Sequence, residues 1–235
     1  MKKKDFKRLL KWIGEKLMTI NVYLVRHGQT MFNVFNRMQG WADSPLTTKG
    51  KEDAKKAGKV LEDIHFDGAY SSDTMRAYQT CQSILDFNQA SGVKVPQASS
   101  YFREQNYGFF EGYDVVQTWR MVGYAKGLTT FKELSATYSL DEIKDLMFQA
   151  DPFKVCEDCQ NYWQRIDAGW DLIRQNHHEG QNILVVAHSN SIASLVQKYA
   201  PEYKPAQNYP SNGAITQLQV TPETIIVTKY NQLSI

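Results

Sequence analysis

Short aliphatic runs bounded by polar residues punctuate this chain, and two of them end on a histidine. Val22-Tyr23-Leu24-Val25 runs into Arg26-His27-Gly28, and Ile183-Leu184-Val185-Val186-Ala187 runs into His188-Ser189. Runs of this length and β-branched content read as buried strands. Gly68-Ala69-Tyr70-Ser71 predicts a third, and a β-like stretch over 98–102 leads into Arg103-Glu104. Two last β runs, 214–220 and 224–230, flank Pro222 and predict a hairpin or edge pair.

Helical spacing fills the intervals. Thr47 or Thr48 caps a helix reaching about residue 64, with Ala54, Ala57, Leu61 and Ile64 on one face and lysines on the other. Ser72 or Asp73 caps a second over 74–87, and further helices are expected over 158–176 and 191–199. Residues 28–46 read as a loop. The stretch 113–165 is aromatic and lacks strand signals, so it predicts a helical insertion broken at Gly123, Gly127 and Pro152. Alternating strands and helices give an α/β class with a mostly parallel sheet. The insertion would then lie over the sheet edge as a lid.

Composition adds limits. A 42% apolar and 22% charged content over 235 residues suits a domain with a full core. The net charge of +2 is uneven: residues 1–16 hold seven Lys or Arg against Asp5 and Glu15, leaving the remainder near −3. A body of that sign argues against nucleic acid as a partner. Three cysteines make no disulfide scaffold and fit a reducing, cytoplasmic setting, and the lone Cys156-x-x-Cys159 lacks the second pair of a zinc site. No metal is expected. The basic start lacks the apolar core of a signal peptide. Phe6, Leu9, Leu10, Ile13 and Leu17 recur at helical spacing, so residues 1–17 form a basic amphipathic extension. It fits a helix packed on the body or one lying on a membrane surface; a start at Met18 would omit it.

The chemistry follows from the strand ends. In open α/β sheets ligands bind beyond the carboxyl ends of the strands, so His27 and His188 should meet at one edge. Arg26 beside His27, and Arg76 in the first turn of a helix, supply forks that match phosphate oxygens. An imidazole nitrogen is a competent nucleophile toward phosphorus. Glu104, ending its own β-like run, is the carboxylic acid best placed to protonate a departing oxygen.

These segments resemble the histidine phosphatase superfamily in its phosphoglycerate mutase-like branch. The resemblance is carried by Leu24-Val25-Arg26-His27-Gly28-Gln29-Thr30, by Asn33, Gln39-Gly40-Trp41 and Asp43-Ser44-Pro45-Leu46-Thr47, and by Tyr70-Ser71-Ser72-Asp73-Thr74-Met75-Arg76-Ala77. It continues in Glu104 to Gly112 and in Val186-Ala187-His188-Ser189. It implies a three-layer α/β/α sandwich spanning 18–235 and a phosphohistidine mechanism without metal or cofactor. On that pattern His27 is the nucleophile, and Arg26, Arg76 and His188 clamp the phosphoryl oxygens. Glu104 is the proton donor, with Asn33, Gln39, Gly40 and Ser189 completing the pocket. Glu111, in the Phe-Glu-Gly turn, would instead satisfy backbone N–H groups.

One departure bears on substrate. Mutases of this branch follow the Phe-Glu-Gly turn with a lysine-containing segment and paired arginines; here Tyr113 to Met121 contains Arg120 alone. That favours a phosphatase acting on a small phosphorylated compound, with mutase activity and non-catalytic phosphate binding as alternatives. Tyr113, Trp119, Tyr124 and Phe131 fit either contact with an apolar substrate or the insertion's own core. A serine hydrolase on Ser189 or Ser191 lacks the G-x-S-x-G turn, and His65, His177 and His178 read as structural.

Overall fold

The computed structural model describes residues 19–235, so the amphipathic extension expected over 1–17, with its possible membrane contact, lies outside the described residues. β1 (Ile20–Arg26), β2 (Gly68–Ser72), β3 (Gln97–Ser99), β4 (Asn182–Ala187), β5 (Ile215–Val220) and β6 (Ile225–Gln232) form one sheet in the order β3-β2-β4-β1-β5-β6. The three pairings among β1 to β4 are parallel, while β5 runs antiparallel to β1 and to β6. The sheet is therefore mixed and mostly parallel, and the two C-terminal runs form the expected antiparallel edge.

Side chains alternate across the strands and build a core on each face. Val22, Leu24, Ile183 and Val185 face α7 (Cys159–Asn176) and α8 (Ser189–Tyr199), where they meet Tyr162, Trp170, Ile192 and Leu195. Val25, Leu184 and Val186 face α2 (Thr48–Val60) and α3 (Met75–Phe87), against Leu61, Cys81 and Ile84. Two helical layers around a sheet give the α/β/α sandwich.

The insertion forms a third cluster. α4 (Val115–Gly123), α5 (Phe131–Thr137) and α6 (Leu140–Ala150) bury Val122, Leu134, Leu140, Ile143 and Met147 against Phe110 and Ala193. The chain breaks at Gly123 and Gly127, the latter left-handed at φ 69°, and again before Ser139. Capping boxes start α5 at Thr130 with Glu133 and α6 at Ser139 with Glu142. Among the described residues no helix is long and apolar enough to cross a membrane.

Four local expectations need correction. The 28–46 loop contains a short helix, α1 (Met31–Val34), closed by a Thr30–Asn33 capping box. Strand β3 stops at Ser99, and Ser100–Phe102 coils into a 3-10 turn. α3 begins at Met75 without a side-chain cap from Ser72 or Asp73; Asp43 from the distant loop accepts the Met75 N–H at 2.6 Å instead. α8 begins at Ser189 rather than Ser191, so His188 is itself the N-cap residue.

Candidate active site

β1 and β4 are parallel neighbours with Arg26 paired to Ala187, so His27 and His188 leave the sheet side by side. Their ring centroids are 5.1 Å apart, and both rings are almost wholly buried. His27 Nδ1 lies 2.8 Å from the Gly28 carbonyl. A carbonyl only accepts, so Nδ1 carries the proton and Nε2 is left with its lone pair. Burial, then the Arg76 and Arg26 charges, hold the His27 pKa well below its ordinary value, outweighing the Gly28 bond. A neutral imidazole with a free nitrogen is the reactive form.

Gly28 is required by close approach. A Cβ there would stand 2.1 Å from the Gly50 carbonyl oxygen, so the loop after His27 could not rest on the start of α2. The Gly28 N–H donates to Thr80 of α3, whose hydroxyl donates to the Arg76 carbonyl. The loop after His27 and the helix of Arg76 are thus tied together.

Arg76 is buried and donates to the Ala42 and Gly40 carbonyls and to Asp43 at 2.8 Å, while its Nε lacks a protein partner. Arg26 donates to the Pro210 carbonyl, and its Nε is likewise unpartnered. Burial lowers the Arg26 pKa to about 10, which leaves it cationic at neutral pH. Both nitrogens of buried His188 have no protein partner. Buried donors without partners are rare, and these cluster around His27. Such donors are the groups that an anion's oxygens would satisfy.

Glu104 is buried at the same place. Its Oε1 accepts from Gln105 N–H and the Ser191 hydroxyl, and its Oε2 from Asn190 N–H. Burial raises its pKa, and those hydrogen bonds and Arg76 only partly oppose the rise. Trp41 Nε1 and Arg165 both donate to its backbone carbonyl at 3.0 Å, fixing the residue from behind. An acid with a raised pKa beside a neutral imidazole forms an acid–nucleophile pair.

A cavity of about 460 Å³ opens on this cluster. Arg26, His27, Asn33, Gln39, Glu104 and Ser189 line it, whereas Arg76, His188 and Gly40 do not. Gly40 is committed elsewhere: its N–H donates to Glu111, and its carbonyl accepts from Arg76 at 2.6 Å. Its backbone therefore positions the arginine. Glu111 accepts the N–H groups of Gly40, Trp41, Ala42 and Tyr107, as its turn position suggested. Of the four insertion aromatics, Trp119 and Phe131 line the cavity, while Tyr113 and the exposed Tyr124 do not. His177 bonds Tyr70, and Cys81 and Cys156 are buried thiols. No cluster of three or more His, Cys, Asp or Glu suited to a metal occurs among the described residues.

The family model for the histidine phosphatase superfamily (branch 1) matches residues 22–233. The chain belongs to the histidine phosphatase superfamily. A 2,3-bisphosphoglycerate-dependent phosphoglycerate mutase of Buchnera aphidicola is 32% identical over 194 residues, covering 77% of this chain and 84% of that protein. The crystal structure of a phosphoglycerate mutase from Bacillus anthracis superposes with a TM-score of 0.83 at 35% identity, over 93% of this chain and 96% of that one. Bacillus stearothermophilus YhfR superposes with a TM-score of 0.65 at 27% identity, over 92% and 98%. Superfamily members act on small phosphorylated compounds.

Several residues of this candidate site were not anticipated. Tyr209, Asn190 and Arg37 line the cavity, and Asn212 donates to the His27 carbonyl at 3.0 Å. Tyr209, Pro210 and Asn212 lie in an irregular stretch before β5, where no period marks a functional residue. Asn190 could have been found once α8 was started at Ser189, because first-turn N–H groups seek acceptors.

Proposed function

We propose that this superfamily member is a metal-independent phosphomonoesterase that hydrolyses a small phosphorylated substrate through a phosphohistidine on His27. The observation that carries the reading is the neutral, buried His27, its Nε2 free, beside unpartnered donors of Arg26, Arg76 and His188. In the first step Nε2 forms a bond to phosphorus as the ester P–O bond breaks, and protonated Glu104 gives its proton to the leaving oxygen. Water then attacks phosphorus, Glu104 takes its proton, the N–P bond breaks, and phosphate leaves with His27 neutral again. Arg26 and Arg76 meet the charge on the equatorial oxygens throughout.

Hydrolysis is favoured over transfer to a second acid by the lid. Arg120 is exposed and does not line the cavity, and the lid's contribution to the wall is mainly apolar. Phosphoglycerate mutase activity is the second reading, supported by the names and 30–35% identities of the relatives. The test is phosphate release from p-nitrophenyl phosphate with and without chelator, His27→Ala as control, alongside interconversion of 3- and 2-phosphoglycerate. Chelator-resistant, His27-dependent release supports hydrolysis; interconversion far faster than release replaces it with the mutase. Phosphate binding without turnover of any monoester would leave a binding protein. Cytoplasmic placement belongs to the same proposal.

A further inference from the structure

The cavity has two chemically unlike ends. At the sheet edge lie the histidine, arginine and glutamate groups already described. Outward, the wall is formed by Val116, Trp119, Phe131, Ile143 and Tyr209 with Met38. The three rings pack in a row: Trp119 and Phe131 are tilted with centroids 4.9 Å apart, and Phe131 and Tyr209 meet edge to face at 5.7 Å.

Most polar residues of that outer wall are already satisfied by protein partners. The Thr129 and Thr130 hydroxyls both donate to Glu133. The Tyr209 hydroxyl donates to Asn190 Oδ1, Asn190 Nδ2 donates to Gln105, and Gln105 Nε2 donates to the Glu157 carbonyl. Asn190 and Gln105 themselves line the cavity, so the Tyr209 hydroxyl is already taken up by the wall. Arg37, exposed, is the cation that lines the cavity beyond Arg26.

A polyhydroxylated leaving group held against these rings would lose water without gaining partners there. The polar groups left without partners, Asn36 and Arg37, are exposed, where an ion pair with a carboxylate is worth little. An apolar ring would gain burial and edge-to-face contacts. We propose that the alcohol released by this site is an apolar, ring-bearing one without a carboxylate, held against Trp119, Phe131 and Tyr209. The proposal rests on the phosphomonoesterase reading for its turnover assay, though not for binding. Recognition by the lid is then set by shape and burial, and the phosphoryl end supplies orientation. The volume lies within the range of small-molecule sites, roughly 300–1,000 Å³.

The experiment compares kcat/KM for 2-phenylethyl phosphate, glycerol 3-phosphate and 3-phosphoglycerate. All three leave as alkyl alcohols, so leaving-group acidity does not dominate the comparison. The expected preference for 2-phenylethyl phosphate over either other compound is about 100-fold. Trp119→Ala narrows that ratio to about fivefold or less, whereas a merely structural defect would lower all three rates together. Val116→Lys, at a half-exposed wall position that tolerates a long side chain, narrows the ratio from the other direction by favouring the carboxylate of 3-phosphoglycerate. Equal rates for the three compounds, or a ratio unmoved in both variants, overturn the proposal. If the wild-type chain hydrolyses none of them, calorimetric titration of His27→Ala with 2-phenylethyl phosphate and glycerol 3-phosphate decides it. At least about tenfold tighter binding of the first sustains the substrate class although hydrolysis has failed; anything less removes it.

Discussion

The two ends of the cavity are built by different means. The phosphoryl end rests on the sheet: His27 and His188 follow adjacent parallel strands, and Arg76 is locked by Gly40, Ala42 and Asp43. The lid end rests on short helices joined by capping boxes and packed through a separate apolar cluster. Lys144 of α6, buried and bonded to the Ser194 hydroxyl of α8 at 2.8 Å, is one anchor between lid and sandwich. On the proposed reading the first region fixes what bond is broken, and the second fixes which molecule carries it. A scaffold divided this way can change its guest without rebuilding its chemistry, since the lid helices contain none of the groups proposed to act on phosphorus.

Substitutions can break this contrast at either end. The largest effect belongs to His27→Ala, expected to lower kcat/KM for p-nitrophenyl phosphate by about 10⁴-fold or more, while circular dichroism and the thermal midpoint stay close to those of the parent. Next is Glu104→Gln. Steady-state assays should show losses of about 10²–10³-fold for alkyl phosphates, and less than about tenfold for aryl phosphates, whose leaving groups need little protonation.

The pH profile sharpens the same pair. The proposed mechanism needs neutral His27, whose pKa is depressed, so activity should be lost on the acid side only below the ordinary imidazole range near 6.5. It also needs protonated Glu104, whose pKa is raised, so the alkaline limb lies above the ordinary carboxyl range near 4.3. The expected bell sits between these limbs for alkyl substrates, and Glu104→Gln abolishes its alkaline limb.

Smaller effects separate support from chemistry. Gly28→Ala forces a backbone clash at the loop holding the nucleophile, and urea unfolding should show a loss of about 1–3 kcal/mol. Arg120→Ala should shift stability by less than about 0.5 kcal/mol and rates by less than about twofold. A selective loss of phosphoglycerate interconversion there would revive the mutase reading.

Much of the phosphoryl end was legible because strand periodicity is short and strict. His27 and His188 each close an aliphatic run, and that run announces where it stops, whereas Glu104 follows a strand that ends at Ser99 and a 3-10 turn. Arg76 followed from helix position, although its anchor Asp43 sits 33 residues away in a loop without period. The lid was legible as helices and breaks, yet Thr130-x-x-Glu133 and Ser139-x-x-Glu142 mark two helix starts that the glycine and proline punctuation alone passes over. Tyr209 and Asn212 were illegible for another reason. Their roles come from tertiary contact between segments remote in the chain, and nothing local encodes that contact.

The central claim is covalent, and its most direct measurement is an acid-labile, base-stable phosphoryl group on His27. Rapid quench of the enzyme with p-nitrophenyl phosphate into alkali, followed by peptide mass spectrometry and phosphorus NMR, should place about 80 Da on the peptide containing His27, at Nε2, and none on the His27→Ala protein. Steady hydrolysis by the parent with an unmodified His27, or a phosphoryl group trapped on another residue, would contradict the account.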